Sequence, residues 1–109
     1  LTPPPPRYVT VPDAETADAI SAAAVSSRAA ACVSQLPGLT SVYAWKGAVE
    51  RGSEVLLMIK TRTALLGRLE RLVRELHPYE TMEFIAVPVE KGGEDYLQWI
   101  RDSTGGGRP

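Results

Sequence analysis

The order of elements in the sequence predicts an α+β domain of the split βαβ, ferredoxin-like kind. The expected order is βαββαβ plus a short C-terminal helix, with the helices on one face of an antiparallel sheet. Three observations carry this expectation. Residues 7–11, 39–49, 54–61 and 82–89 are rich in β-branched and aromatic side chains. The segments between the first and second and between the third and fourth of these have helical start signals or helical spacing. Finally, 109 residues, 44% apolar and 23% charged, suit one core of ordinary globular composition, placed over residues 7–104.

At the start, Pro3, Pro4, Pro5 and Pro6 lack backbone donors and favour extended polyproline II geometry, so residues 1–6 are expected to form a flexible leader. Tyr8, Val9, Thr10 and Val11 make a first strand that Pro12 stops. The Asp13 carboxylate can accept from the orphan amides of a helix start and Glu15 complements the dipole there, which predicts a helix over 13–30. Its apolar side chains are mostly alanine, with Ile20 and Val25 the only large ones, so it must pack closely on something flat. Pro37 and Gly38 form a turn dipeptide and predict a bend. Beyond it Thr40, Val42, Tyr43, Trp45 and Val49 read as one strand over 39–49, closed by Arg51, Gly52 and Ser53.

Val55, Leu56, Leu57, Met58 and Ile59 follow without a polar break, which suits a central strand covered on both faces. Thr61 or Thr63 can cap a second helix, whose Leu65, Leu69, Leu72, Val73 and Leu76 recur at three- and four-residue spacing. Pro78 ends it at His77. A last strand over 82–89 and a helix over 95–102 with Tyr96, Leu97, Trp99 and Ile100 complete the domain. Gly105, Gly106 and Gly107 open a flexible tail over 105–109. In this arrangement one sheet face has no helix on it, and self-association is the economical way to cover so apolar a strand.

Several function classes drop out. Twelve Lys and Arg against thirteen Asp and Glu give a net charge of −1, so there is no bulk field to attract nucleic acid. The apolar run 55–59 is far short of the roughly 20 residues that cross a bilayer, so no membrane span is expected. With one cysteine, Cys32, no internal disulfide or cysteine-pair metal motif can form, and with one histidine, His77, a zinc site of several imidazoles in one subunit is impossible. There is no Gly-rich phosphate loop and no nucleophile elbow, so an enzyme is not expected. A cytoplasmic location is the expectation; the sequence begins at Leu1 rather than Met, which leaves organellar and secretory placement open.

The chemistry-bearing candidates are few. His77 stands at a helix end beside Pro78, Tyr79 and Glu80, where it serves either as a capping and packing residue or, with Tyr79, Glu80, Lys60 and Trp45, as part of a ligand-binding cleft. Cys32 is either a small buried hydrophobe among alanines or, with His77, a ligand for a soft metal such as Cu(I). Tyr96 and Trp99 read as anchors against the sheet or a neighbouring subunit.

Taken together, several blocks resemble the CutA family of divalent-cation tolerance proteins. They are Ala30-Ala31-Cys32-Val33, Leu36-Pro37-Gly38-Leu39-Thr40-Ser41-Val42-Tyr43-Ala44-Trp45-Lys46-Gly47 and Glu54-Val55-Leu56-Leu57-Met58-Ile59-Lys60-Thr61. After them come His77-Pro78-Tyr79-Glu80, Val87-Pro88-Val89 and Tyr96-Leu97-Gln98-Trp99-Ile100. The resemblance implies a ferredoxin-like subunit in a tight homotrimer, similar to the PII signalling proteins, with strand edges joined between subunits. Members are linked to copper tolerance and copper binding and, in animals, to acetylcholinesterase anchoring, with no established catalytic reaction.

By position, the resemblance implies Trp45, Lys60, His77, Tyr79 and Glu80 as cleft residues near subunit boundaries, and His77, Cys32 and Glu80 as metal candidates. Where some bacterial members have a further cysteine and histidine implicated in metal binding, this chain has Val9 and Leu76, so copper binding is expected to be weak or conditional. Ala29 also replaces a leucine usual before Ala-Ala-Cys, so looser packing of the first helix is expected. The implied role is response to divalent metal ion. Its rivals are a PII-like module binding a small anion in the inter-subunit cleft, and a trimeric scaffold for a protein partner.

Overall fold

Residues 6–105 are described by the computed structural model. Four strands form one antiparallel sheet in the order β2-β3-β1-β4: β1 (Pro6–Val11), β2 (Cys32–Trp45), β3 (Ala48–Lys60) and β4 (Phe84–Ala86). Helices α1 (Ala14–Ser26), α2 (Leu66–Leu76) and α3 (Glu94–Ser103) complete the βαββαβ order with its terminal helix. This is the ferredoxin-like sheet order that the sequence predicts. Most of the leader and tail lies outside the described residues; Pro6 belongs instead to β1, opposite Lys60. Among the described residues no helix is long and apolar enough to cross a membrane.

The core forms where the periodicities meet. Val9 and Val11 of β1 and Val55, Leu57 and Ile59 of β3 point to the helix-covered face, against Ala17, Ile20 and Ala24 of α1 and Leu69 and Val73 of α2. The small alanines let α1 lie close on the sheet, as its composition requires. Asp13 caps α1, its Oδ1 accepting the Thr16 amide at 2.7 Å.

The ends of several elements differ from expectation. α1 stops at Ser26 rather than running to residue 30, because Arg28 turns left-handed at φ 65°. The chain then winds back, with the Arg28 amide on the Val25 carbonyl and the Ala30 amide on that of Ala24. Ala29 and Ala30 are buried outside the helix. Pro37 and Gly38 make no chain reversal: they sit in a bulge between the Leu36–Leu56 and Leu39–Glu54 pairs, with Gly38 at φ 78°. β2 therefore starts at Cys32.

Nor do Arg51, Gly52 and Ser53 close the hairpin; they pair inside β3 with Val42, Ser41 and Thr40. The reversal occurs at Lys46 and Gly47, at φ 51° and 81°, between the paired Trp45 and Ala48. Two successive positive φ values make a two-residue turn whose twist matches the strands. The result is a long two-stranded ribbon that reaches past β1, whose last pair is Val11–Val55, and extends the molecule to 48 Å. The last strand is also shorter than 82–89, keeping only Phe84, Ile85 and Ala86 paired to β1.

Candidate functional site

His77 terminates α2 and its ring turns inward, leaving the residue 7% exposed. The Tyr79 amide donates to Nδ1 at 3.2 Å, so Nδ1 carries no hydrogen and Nε2–H donates to the Thr10 carbonyl at 2.7 Å. β4 begins opposite Val9, and the imidazole takes up the β1 carbonyl one residue further along, at Thr10. The ring also lies 4.9 Å from that of Tyr79. Both nitrogens are thus engaged in a neutral imidazole that fixes the α2–β4 connection to β1. Glu80 is exposed on the same connection.

Tyr79 faces a polar neighbourhood. Burial pushes its phenol above the ordinary tyrosine range, and the negative charge of Glu54, Tyr43 and Asp13 adds to the shift. Glu54 accepts from the Ser41 hydroxyl across the β2–β3 ribbon at 2.5 Å.

The other candidates lie elsewhere on the ribbon. Lys60 ends β3 and pairs in register with Cys32, the first residue of β2, while its Nζ donates to Ser34 Oγ at 2.6 Å. Thr10 pairs with Leu56, four residues back along β3 from Lys60. At about 3.3 Å per residue and about 4.8 Å per strand, the Cys32 backbone is about 13 Å along the sheet and about 10 Å across it from Thr10, whose carbonyl His77 holds. The chain does not bring His77 and Cys32 together as a ligand pair. Cys32 is instead half-buried beside the Tyr96 phenol. Burial, with the adjoining Cys32 charge and hydrogen bond, holds that phenol above its ordinary range.

Trp45 stands at the ribbon tip, 55% exposed, with Lys46 Nζ 5.8 Å from its ring centre. Twelve residue steps along β3 separate its partner Ala48 from Lys60, a span of about 40 Å. The five expected cleft residues therefore occupy three places in one chain: a tip, a sheet end, and the α2–β4 connection. Among the described residues no single-subunit pocket unites them. Among the described residues there is also no group of three or more His, Cys, Asp and Glu side chains placed to hold a metal ion. Within one chain, Cys32 stands apart from His77 and Glu80, so the three do not form one metal site.

Sequence reasoning missed Thr10, because the Thr10 group involved is a main-chain carbonyl set by strand register, and no residue type announces it. It also missed Arg28 and Arg62, whose side chains donate to Asp102 and Thr104 at the end of α3 across 74 and 42 residues of sequence.

The family model described as CutA1 divalent ion tolerance protein matches residues 7–103. Protein CutA of Homo sapiens is 50% identical over 97 residues, 89% of this chain and 54% of that protein. The chain thus spans about half the length of this mammalian relative. The divalent-cation tolerance protein CutA of Thermus thermophilus is 45% identical over 97 residues, 89% of this chain and 94% of that protein. A solved structure of the Thermus thermophilus divalent cation tolerance protein superposes with a TM-score of 0.90 at 44% identity, covering 93% of this chain and 98% of that one.

Proposed function

Because the chain belongs to the CutA1 divalent ion tolerance protein family, we propose that it works as a non-enzymatic homotrimer in the response to divalent metal ions, copper among them. The open sheet face carries this reading. Opposite the helices, register places Tyr8, Leu36, Leu56, Met58 and Ile85 side by side, with Leu36 and Ile85 half exposed. Covering each large apolar side chain contributes roughly 1.5 to 3 kcal/mol, so water is an expensive neighbour for this face. The ribbon beyond Val55 adds exposed Val42, Tyr43, Trp45 and Val49, and two strands alone are only marginally stable. Copies of the chain cover both, and ribbon tips delivered to neighbours complete the cleft that one chain lacks.

Copper engages this assembly weakly and conditionally, through His77 and the exposed Glu80 on the same connection, because the imidazole must first release Thr10 or Tyr79. Copper titration of wild type, His77→Ala and Glu80→Gln by calorimetry tests this. Weakened binding in both variants supports it; affinities equal to wild type remove His77 and Glu80 from copper binding.

A second reading, a PII-like cleft for a small anion, draws on Lys60, whose half-buried ammonium stands on the open face against Ser34. A thermal-shift screen separates the two: stabilisation by nucleotides or carboxylates, lost in Lys60→Met, favours the anion reading, and stabilisation by metal alone removes it.

A further inference from the structure

α3 is attached to the fold differently from the other helices. α1 and α2 bury side chains in the main core, whereas Leu97 and Ile100 of α3 form a separate small cluster with Ala31 and Val89. Its end is held by polar bonds from two arginines on other elements. Arg62, between β3 and α2, donates from Nε to Thr104 Oγ1 at 2.8 Å and from its terminal nitrogen to the Thr104 carbonyl at 2.9 Å. Arg28, between α1 and β2, donates to the Asp102 carbonyl at 2.8 Å. Among the described residues neither guanidinium forms a salt bridge. Both are spent on carbonyls at the negative end of the α3 dipole.

Arg28 holds this bond from a left-handed backbone, φ 65°, a conformation that favours glycine. Local backbone preference therefore gives no reason for an arginine there; the reach of its side chain to α3 does. At the other end, residues 87–93 join β4 to α3 without regular structure and finish in Gly92 and Gly93. A helix with a small cluster of its own, a pliable entry and a polar latch belongs to the part of a fold that opens first.

We propose that α3 is a detachable strap, latched by Arg28 and Arg62, which opens as a unit while the main core stays closed and uncovers Ala31 and Cys32. In the closed state Leu97 and Ile100 of the strap pack on Ala31, the residue next to Cys32. Opening exposes a thiol that is otherwise half-buried.

The single cysteine makes the test direct. An aromatic disulfide reagent reports on Cys32 alone: its thiolate attacks one sulfur, forms a mixed disulfide and releases one coloured aromatic thiolate. In the full chain, Arg28→Gly with Arg62→Gln is expected to raise the labelling rate roughly tenfold or more, the effect of losing charge-assisted hydrogen bonds from the closed state only. Hydrogen exchange should accelerate over 94–104 and stay slow in β1 and β3. An unchanged labelling rate overturns the proposal, and so does exchange that rises equally in β1, β3 and α3, since the strap would then open only with the whole fold. If the double variant does not fold, Gly92→Ala gives the same test, because its methyl would stand 3.2 Å from Leu97 Cδ2 and press α3 outward. The same two readouts then decide.

Discussion

The Nε2–H of His77 donates to the main-chain carbonyl of Thr10 across 2.7 Å, tying the end of α2 to a strand 67 residues earlier in the sequence. Removing the ring leaves a buried carbonyl and the Tyr79 amide without their partners. His77→Ala should lower unfolding free energy by about 1–3 kcal/mol. His77→Gln, whose amide can still donate to Thr10, should recover part of that loss. Urea denaturation monitored by tryptophan fluorescence measures both; an unchanged midpoint for the alanine variant would show that the bond contributes nothing.

At the opposite end of that connection, Asp13 predicts an acid dependence. Its bond to the Thr16 amide holds the carboxyl below its ordinary value of 3.8 in the folded chain. The unfolded state binds the proton first as pH falls, so this contribution is complete above about pH 4 and is lost as pH falls through the lower folded value. The Tm gap between wild type and Asp13→Ala should therefore be widest near neutrality and close toward pH 2. A gap that is constant across this range contradicts the capping role.

The two shifted tyrosines give the alkaline counterpart. Burial, with neighbouring negative charge, raises the phenols of Tyr79 and Tyr96 above the ordinary value of 10.0. Their share of stability is present below pH 10 and disappears as pH rises through the folded values, because the unfolded chain releases its protons earlier. Tyr79→Phe and Tyr96→Phe should each flatten the fall in Tm between pH 9.5 and 11.5 relative to wild type, and parallel curves would show that these phenols do not titrate differently in the two states.

The hairpin turn has a residue that its geometry does not favour. Lys46 adopts φ 51° ahead of Gly47 at φ 81°. Asparagine tolerates the left-handed region better and Asn-Gly is the preferred pair for this turn, so Lys46→Asn should stabilise by about 0.5 kcal/mol or more. Gly47→Ala should destabilise by about 1–2 kcal/mol, as no side chain sits easily at that φ. Thermal melts of both variants check the sign of each change.

Strand and helix order was legible because apolar residues recur with the right period: Val55, Leu57 and Ile59 alternate into the core, and Leu69 and Val73 follow the α2 stripe. Turns were less legible. Pro37-Gly38 and Arg51-Gly52-Ser53 are strong local turn signals, yet both lie within paired strands, where long-range pairing outweighs local preference. Lys46-Gly47 is the weaker signal and makes the turn. The end of α1 at Ser26 was hidden because an arginine, not a glycine, takes the left-handed position behind it.

For the candidate site, spacing identified His77 as a helix-ending residue, which it is, but could not give the partner of its ring. Whether Trp45, Lys60 and His77 meet is a question of assembly. The ribbon holds Trp45 and Lys60 about 40 Å apart within one chain, and only another subunit can bring the tip of one to the sheet end of the next.

We propose that copies of this chain cover one another's open sheet face and ribbon. Sedimentation equilibrium of the wild-type protein at micromolar concentration tests it most directly. A single species of three times the 11.8 kDa chain mass is the expected result. A well-folded species at the mass of one chain would contradict it.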